Sequence, residues 1–420
     1  MKLTTNTLAA RRSIGAALGL AALIGVAPAQ AQTAAPAAPA TPAPPANWSD
    51  SIKFGVQIQA GITANGDAPK TNFGSLFNDK ANSPLINQGL MTLSRVIDPA
   101  ATGWEVGFKL QGMYGSDARY TKLLGVLDKV KHDRYQPDLV EANITVHAPV
   151  LTEGGIDFKA GEYTTPLGFE TIDPSTNPFY SHSYIFNFGL PLKHTGAIAT
   201  VHATSMLDVI AGVDTGINTT FGGGDNNTAM GGIVGFGLNL MDGAVTVLAL
   251  SHIGPENPKR TVPNADKYLR YVNDAFLTWK ATEKLTLTTE LNFIHDDFAK
   301  ASAWGIAQYG AYVLGEQTTL NGRLEVFGDS KGFFVGSFPG NSDFVNAELG
   351  LPATVLGGTH TTYGAATVGI TYKPAPVGPL ASLMLRPELR VDTALDKTKP
   401  FNGGKSGSAV MISMDAILGF

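Results

Sequence analysis

The sequence predicts an all-β fold, a closed antiparallel transmembrane barrel of about sixteen strands, with fourteen or eighteen tolerated. Three observations lead there. The chain opens on an export signal, its strands repeat with one apolar and one polar face, and its connections alternate between long and short.

The signal occupies residues 1–31. Lys2, Arg11 and Arg12 give a positive start, an apolar run follows from Ile14 to Val26, and Ala29-Gln30-Ala31 supplies a small-x-small cleavage pattern. The run is too short for a spanning helix, which needs about 20 apolar residues. Arg11-Arg12 also fits twin-arginine export, but that route carries folded cargo and a barrel must cross the inner membrane unfolded. General secretion is therefore the expected route. Residues 32–50 are expected to be a periplasmic linker, Ala/Pro-rich through residue 47, because proline fixes φ and removes donors.

Without the signal the chain keeps 27 Lys and Arg against 35 Asp and Glu, a formal charge of −8. That balance argues against nucleic acid, which wants a basic face. The absence of cysteine excludes disulfides, thiolate metal sites and lipid attachment through an N-terminal Cys. No stretch after the signal reaches the roughly 18 continuous apolar residues of a membrane helix. A closed barrel is the other structure that satisfies every backbone N–H and C=O within lipid.

The barrel is expected over residues 51–420. Ile52, Phe54, Val56, Ile58, Ala60 and Ile62 alternate with Lys53, Gly55, Gln57, Gln59, Gly61 and Thr63. Successive strand side chains point to opposite faces, so this segment is oily on one side and polar on the other. Globular strands average about 5–6 residues, whereas a tilted membrane strand needs roughly 9–11. The pattern returns at 104–111, 140–148, 285–293 and 383–392; around 245–250 and 305–314 apolar residues occupy both parities and leave the faces open.

Sixteen strands are expected at 51–65, 85–97, 103–115, 138–150, 155–163, 193–204, 206–217, 229–241, 243–253, 269–281, 284–296, 303–314, 319–329, 361–373, 380–394 and 406–420. Long connections follow odd strands, at 66–84, 116–137, 164–192, 218–228, 254–268 and 330–360. Short turns such as Asp98-Pro99-Ala100 and Thr282-Glu283-Lys284 follow even ones. Bacterial barrels have long outer loops, short periplasmic turns and both ends in the periplasm. Trp104, Trp279, Tyr372 and Phe420 then fall at periplasmic ends, with Tyr114, Tyr271 and Tyr363 near outer ends, as interfacial girdles would.

The C-terminus carries the most specific signal. Val410, Ile412, Met414, Ala416, Leu418 and Phe420 share one parity, and the chain stops on phenylalanine. It resembles the terminal strand that outer-membrane assembly machinery recognises; strand addition to an alternating edge is a physical route. Other segments narrow the resemblance: Leu90–Arg95, Tyr114–Tyr120, Lys159–Glu170, Asn177–Ser183 and Thr195-Gly196, in that order. Together they are similar to the beta-barrel porin type 2, OmpL-like family. The resemblance implies an integral outer-membrane barrel of a Gram-negative-type bacterium, and a pore. In general porins the loop at 164–192 bends into the lumen and narrows it, which would place Glu170 and Asp173 in the channel.

The expected function is passive diffusion of small hydrophilic solutes through a lumen lined by Lys53, Glu105, Lys109, Glu141, Lys159, Glu290, Arg323, Glu325, Arg386, Glu388, Arg390 and Asp415. An acidic loop facing Arg323, Lys373, Arg386 and Arg390 would set a field across the channel; local pairing of the same charges is the alternative. Partners are expected to be outer-membrane lipid, the assembly machinery and small solutes, with a homo-oligomer left open and no cofactor or metal. Two other classes compete. One is a barrel-borne lipase or protease using Ser181, His182 or Ser183, which sequence adjacency alone does not align. The other is a structural or adhesive barrel plugged by 164–192 and 330–360. His295-Asp296-Asp297 is expected to be a solvated loop and Gly222–Asp225 a turn, since it lacks the Lys-Ser/Thr of a phosphate cradle.

Overall fold

The computed structural model describes residues 48–98, 101–130, 133–335 and 359–420. The expected signal peptide, most of the linker, the end of the 98–100 turn and most of the 330–360 connection lie outside them. Alternating side chains and in-register ladders roll the chain into a closed barrel of sixteen antiparallel strands, each beside its neighbour in sequence. The first eight strands are β1 (Lys53–Asn65), β2 (Pro84–Arg95), β3 (Glu105–Gly115), β4 (Gln136–Ala148), β5 (Ile156–Thr164), β6 (Lys193–His202), β7 (Leu207–Asp214) and β8 (Gly231–Leu240). The second eight are β9 (Val245–Pro255), β10 (Leu269–Lys280), β11 (Leu285–Asp296), β12 (Ala301–Gly315), β13 (Thr318–Asp329), β14 (Thr361–Tyr372), β15 (Ser382–Ala394) and β16 (Ser408–Gly419). β1 closes on β16, from Gln57 opposite Gly419 to Asn65 opposite Met411. No described helix is long and apolar enough to cross a membrane.

The two faces separate as period two demands. Phe54, Ile62, Met91, Ile144, Leu324 and Ile412 are exposed on the outside, while Gln59, Thr63, Asn143, Asn321 and Ser413 are buried within. Pro387 lies on the outward parity of β15, where its missing N–H removes a ladder donor. The β14–β15 register accordingly skips from Gly369 opposite Glu388 to Tyr372 opposite Leu385.

Three expectations change. β7 ends at Asp214 rather than 217, because Thr215 and Ile217 turn into a buried loop. Tyr363 does not join an outer girdle: it shares the inward parity of Thr361 and Ala365, is 2% exposed, and stacks on Tyr184 with ring centroids 5.0 Å apart. Trp48, placed in the linker, instead packs on the outward ring of Phe108 and donates from Nε1 to Val106 O. The undecided strand β12 resolves with Ala301, Ala303, Gly305, Ala307 and Tyr309 inward and Trp304 and Ile306 outward.

Candidate pore constriction

The connection 165–192 folds into the barrel and lies against the far wall. Its base is pinched by a bond from Thr165 N to Leu192 O (2.9 Å). The helical turn Ile185–Gly189 packs on β11 and β12, where the small inner face of β12 makes room. A Cβ on Gly305 would stand 2.5 Å from Ile185 Cγ1, and one on Gly61 2.5 Å from the Tyr180 ring. Side chains larger than glycine would push the loop off the wall at both places.

Irregular backbone leaves amides and carbonyls without ladder partners, and buried ones must be satisfied. Here the wall's side chains do it. Asp274 accepts from Gly168 N, Glu290 from Phe169 N, Glu388 from Tyr180 N and Ser181 N, and Glu325 from Tyr184 N. In the other direction, Arg386 donates to Pro174 O and Asn177 O, Arg323 to Ser181 O, Arg390 to His182 O and Asn292 to Gly189 O. Ion pairs close the network: Arg323 to Glu170 (2.7 Å) and Glu325 (2.9 Å), and Arg390 to Glu325 (2.7 Å) and Asp392 (2.8 Å). Arg386 pairs with Asp415.

All twelve residues expected to line the lumen carry the inward parity of their strands, but they divide into two groups. Glu290, Arg323, Glu325, Arg386, Glu388, Arg390 and Asp415 lie beneath the loop, the three arginine side chains at 0–1% exposure. Six of them bond the loop directly and Asp415 holds Arg386, so these seven face the loop rather than open water. Lys53 stays exposed, Lys159 half-buried, Lys109 at 36% and Glu105 at 25%, while Glu141 is buried and paired to Lys109 Nζ (2.8 Å). Glu170 is buried and paired rather than facing the channel; Asp173 is half-buried, bonded by Gln57 Nε2 and by Ser175. The expected transverse field is thus largely collapsed into direct pairs, with Lys373 half-buried beside them. Asp274, Asn292 and Tyr309 were missed as docking residues; inward parity on β10–β12 was the signal that marked them.

Elsewhere the outer half is tightly filled. Phe77 from 66–83, Tyr120 from 116–135 and His182 and Phe186 from the inward loop form one ring cluster, with centroids 4.1–5.5 Å apart. Ser181 Oγ accepts from Arg323 and Ser183 Oγ from Phe186 N, while His182 Nδ1 faces Glu170. Asp296 is the last residue of β11, fully buried and paired with Arg270 at 2.9 Å, so the expected solvated loop His295-Asp296-Asp297 is corrected at that position, while Gly222–Gly224 is a single helical turn.

Burial pushes the Glu170 carboxyl up, but Arg323, His182 and the Ser183 amide outweigh it and hold it at about 2. Tyr309 OH and Glu290 are its other close neighbours. The folded value lies below the usual carboxylate value of about 4.3, so this stabilisation is complete above that pH and is lost on descent toward about 2. Pepsin cleavage within 165–192 is expected to rise across that window, and Glu170→Gln to flatten the rise. An identical pH profile in the variant would assign the step to other carboxylates.

A family model described as "Putative beta-barrel porin-2, OmpL-like" matches residues 51–420. No curated protein matches the sequence. Three solved structures share the architecture. The outer membrane channel DcaP of Acinetobacter baumannii aligns with a TM-score of 0.51 at 10% identity, covering 88% of this chain and 97% of that one. OprB of Pseudomonas putida, in a high-pH structure, gives 0.51 at 14%, covering 89% and 95%. OmpF of Salmonella typhi, in complex with daunomycin, gives 0.53 at 9%, covering 89% and 99%. At these identities the likeness is one of fold.

Proposed function

The chain belongs to the OmpL-like beta-barrel porin-2 family of the bacterial outer membrane, and on that premise we propose that it lets small hydrophilic solutes cross by passive diffusion. The observation that carries the reading is the two-sided closed wall. Sixteen-stranded barrels are wide enough for an aqueous lumen, and this one has an oily exterior and a polar interior. Solutes would run beside the inward loop, past Lys53, Glu105, Lys109 and Lys159. Support comes from the periplasmic half, where inward Asp157, His202 and Asp208 keep 25%, 31% and 41% of their side-chain surface open. The packed outer half argues for small conductance steps rather than large ones.

No enzymatic step enters this reading, since the hydroxyls of Ser181 and Ser183 are already engaged by Arg323 and Phe186 N–H and are buried. Planar-bilayer recording tests the proposal. Small, discrete, ohmic steps and swelling of proteoliposomes in small sugars are expected; a barrel without steps or swelling would be the plugged structural alternative.

Phe420 would serve as the insertion signal. Its N–H donates to Val56 O (2.9 Å) at the seam, while its ring stays 47% exposed outside. Deleting Phe420 is expected to cut the yield of heat-modifiable barrel in cells several-fold while leaving detergent refolding intact. Equal loss in both settings would mean the ring stabilises the seam instead of guiding assembly.

A further inference from the structure

Away from the constriction, the outer ends of β6, β7 and β9 bring together His194, Asp214 and His252, three residues distant in sequence and fully buried. We propose that these three bind one divalent transition-metal ion of the Zn2+ class.

One ligand atom from each residue lies within 4.8 Å of the others. His194 Nδ1 stands 3.1 Å from Asp214 Oδ2, and His252 Nε2 stands 3.0 Å from Asp214 Oδ1. Zinc bonds of about 2.0–2.2 Å place tetrahedral ligand atoms roughly 3.4 Å apart, so the side chains need only small shifts. His194 Nδ1 and Asp214 Oδ2 meet at 3.1 Å without a well-aligned hydrogen bond, and nothing of either side chain reaches solvent. Buried polar atoms are ordinarily well partnered, and an ion between these two would satisfy both. Imidazole nitrogen and carboxylate oxygen are both donors that zinc takes.

The surroundings are arranged as metal ligands require. The far nitrogen of His194, Nε2, meets Thr165 Oγ1 at 3.1 Å, which orients the ring with Nδ1 inward. On His252 the far nitrogen, Nδ1, lies 3.7 Å from Glu256 Oε1, an electrostatic neighbour beyond hydrogen-bond distance, and Glu256 Oε2 is itself held by Ile217 N at 2.8 Å. A hydrogen-bonded outer partner such as Thr165 fixes ring orientation, and a nearby carboxylate such as Glu256 favours a positively charged site. Gly231 leaves the approach open: a Cβ there would stand 2.7 Å from His252 Nε2 and 2.9 Å from Asp214 Oδ1. An ion would clamp three strands, and through Thr165 the pinched base of the inward loop.

The test uses the mature full-length chain refolded in detergent after chelator treatment, with Co2+ as spectroscopic probe and Zn2+ as competitor. One Co2+ per chain, with the visible absorption of a tetrahedral site and displacement by Zn2+, is expected. Asp214→Asn and His252→Gln should each abolish it, and Thr165→Val, which removes the bond that positions His194 along with the acceptor for Leu167 N, should weaken it by about tenfold or more. His202→Gln, in the separate periplasmic His/Asp row, should bind as wild type. Absence of stoichiometric Co2+ or Zn2+ in the wild-type barrel overturns the proposal whatever the variants do, as does unchanged uptake by Asp214→Asn. The readout is independent of conductance, so its outcome stands apart from the porin reading.

Discussion

Excising residues 166–190 and joining Thr165 to Pro191 through a short Gly/Ser turn is expected to raise single-channel conductance several-fold. The loop's ends already meet at the Thr165 N to Leu192 O bond, so the excision does not stretch the barrel. The wall it uncovers keeps its own pairs, Arg323 with Glu325, Arg386 with Asp415 and Arg390 with Asp392, and those charges gain water where they lose loop backbone. The barrel should therefore still migrate as a folded, heat-modifiable species. Ion selectivity should also change, because three arginines pass from the loop's underside to the lumen. Wild-type conductance in the excised barrel would move the constriction to the outer cluster around Phe77 and Tyr120.

Arg323→Ala is expected to release the same loop without removing it. Arg323 joins Glu170 on the loop to Glu325 on the wall and also donates to Ser181 O. Removing one partner of a buried pair costs about 3–5 kcal/mol, because the other charge stays desolvated. The ladders of sixteen strands can resist that cost; a single docked loop has fewer contacts to lose. The expected result is a folded barrel with a protease-sensitive 165–192 segment and larger, noisier conductance steps. Glu170→Gln, which leaves a neutral amide, should perturb less. Wild-type protease resistance and conductance in Arg323→Ala would show that Glu388, Arg386 and Asp274 suffice to dock the loop.

Much of the architecture was legible because a membrane wall repeats a simple rule over every strand. Alternation along β1, β3, β4, β11 and β16, with long and short connections in turn, led to sixteen strands whose bounds lie close to those observed. The rule failed where the interior is not watery. On β12 the inner face is a run of alanine and glycine fitted to the helical turn Ile185–Gly189, so apolar residues occupied both parities. On β14, Tyr363 looked like a girdle residue because it sits near a strand end, yet its partner is Tyr184 of the inward loop.

The charged residues show the same division. Parity put Arg323, Arg386 and Arg390 inside, but whether they face water depends on where the loop after β5 comes to rest. Nothing local to β13 or β15 encodes that. His194, Asp214 and His252 are likewise unremarkable in sequence and meet only because β6, β7 and β9 end at one height. The chain by itself determined the wall, its hand of inside and outside, and its membrane, since those follow from side-chain alternation and strand length. Tertiary structure alone decided which inward groups meet solvent and which meet each other, because burial inside a closed barrel is set by what the loops carry into it.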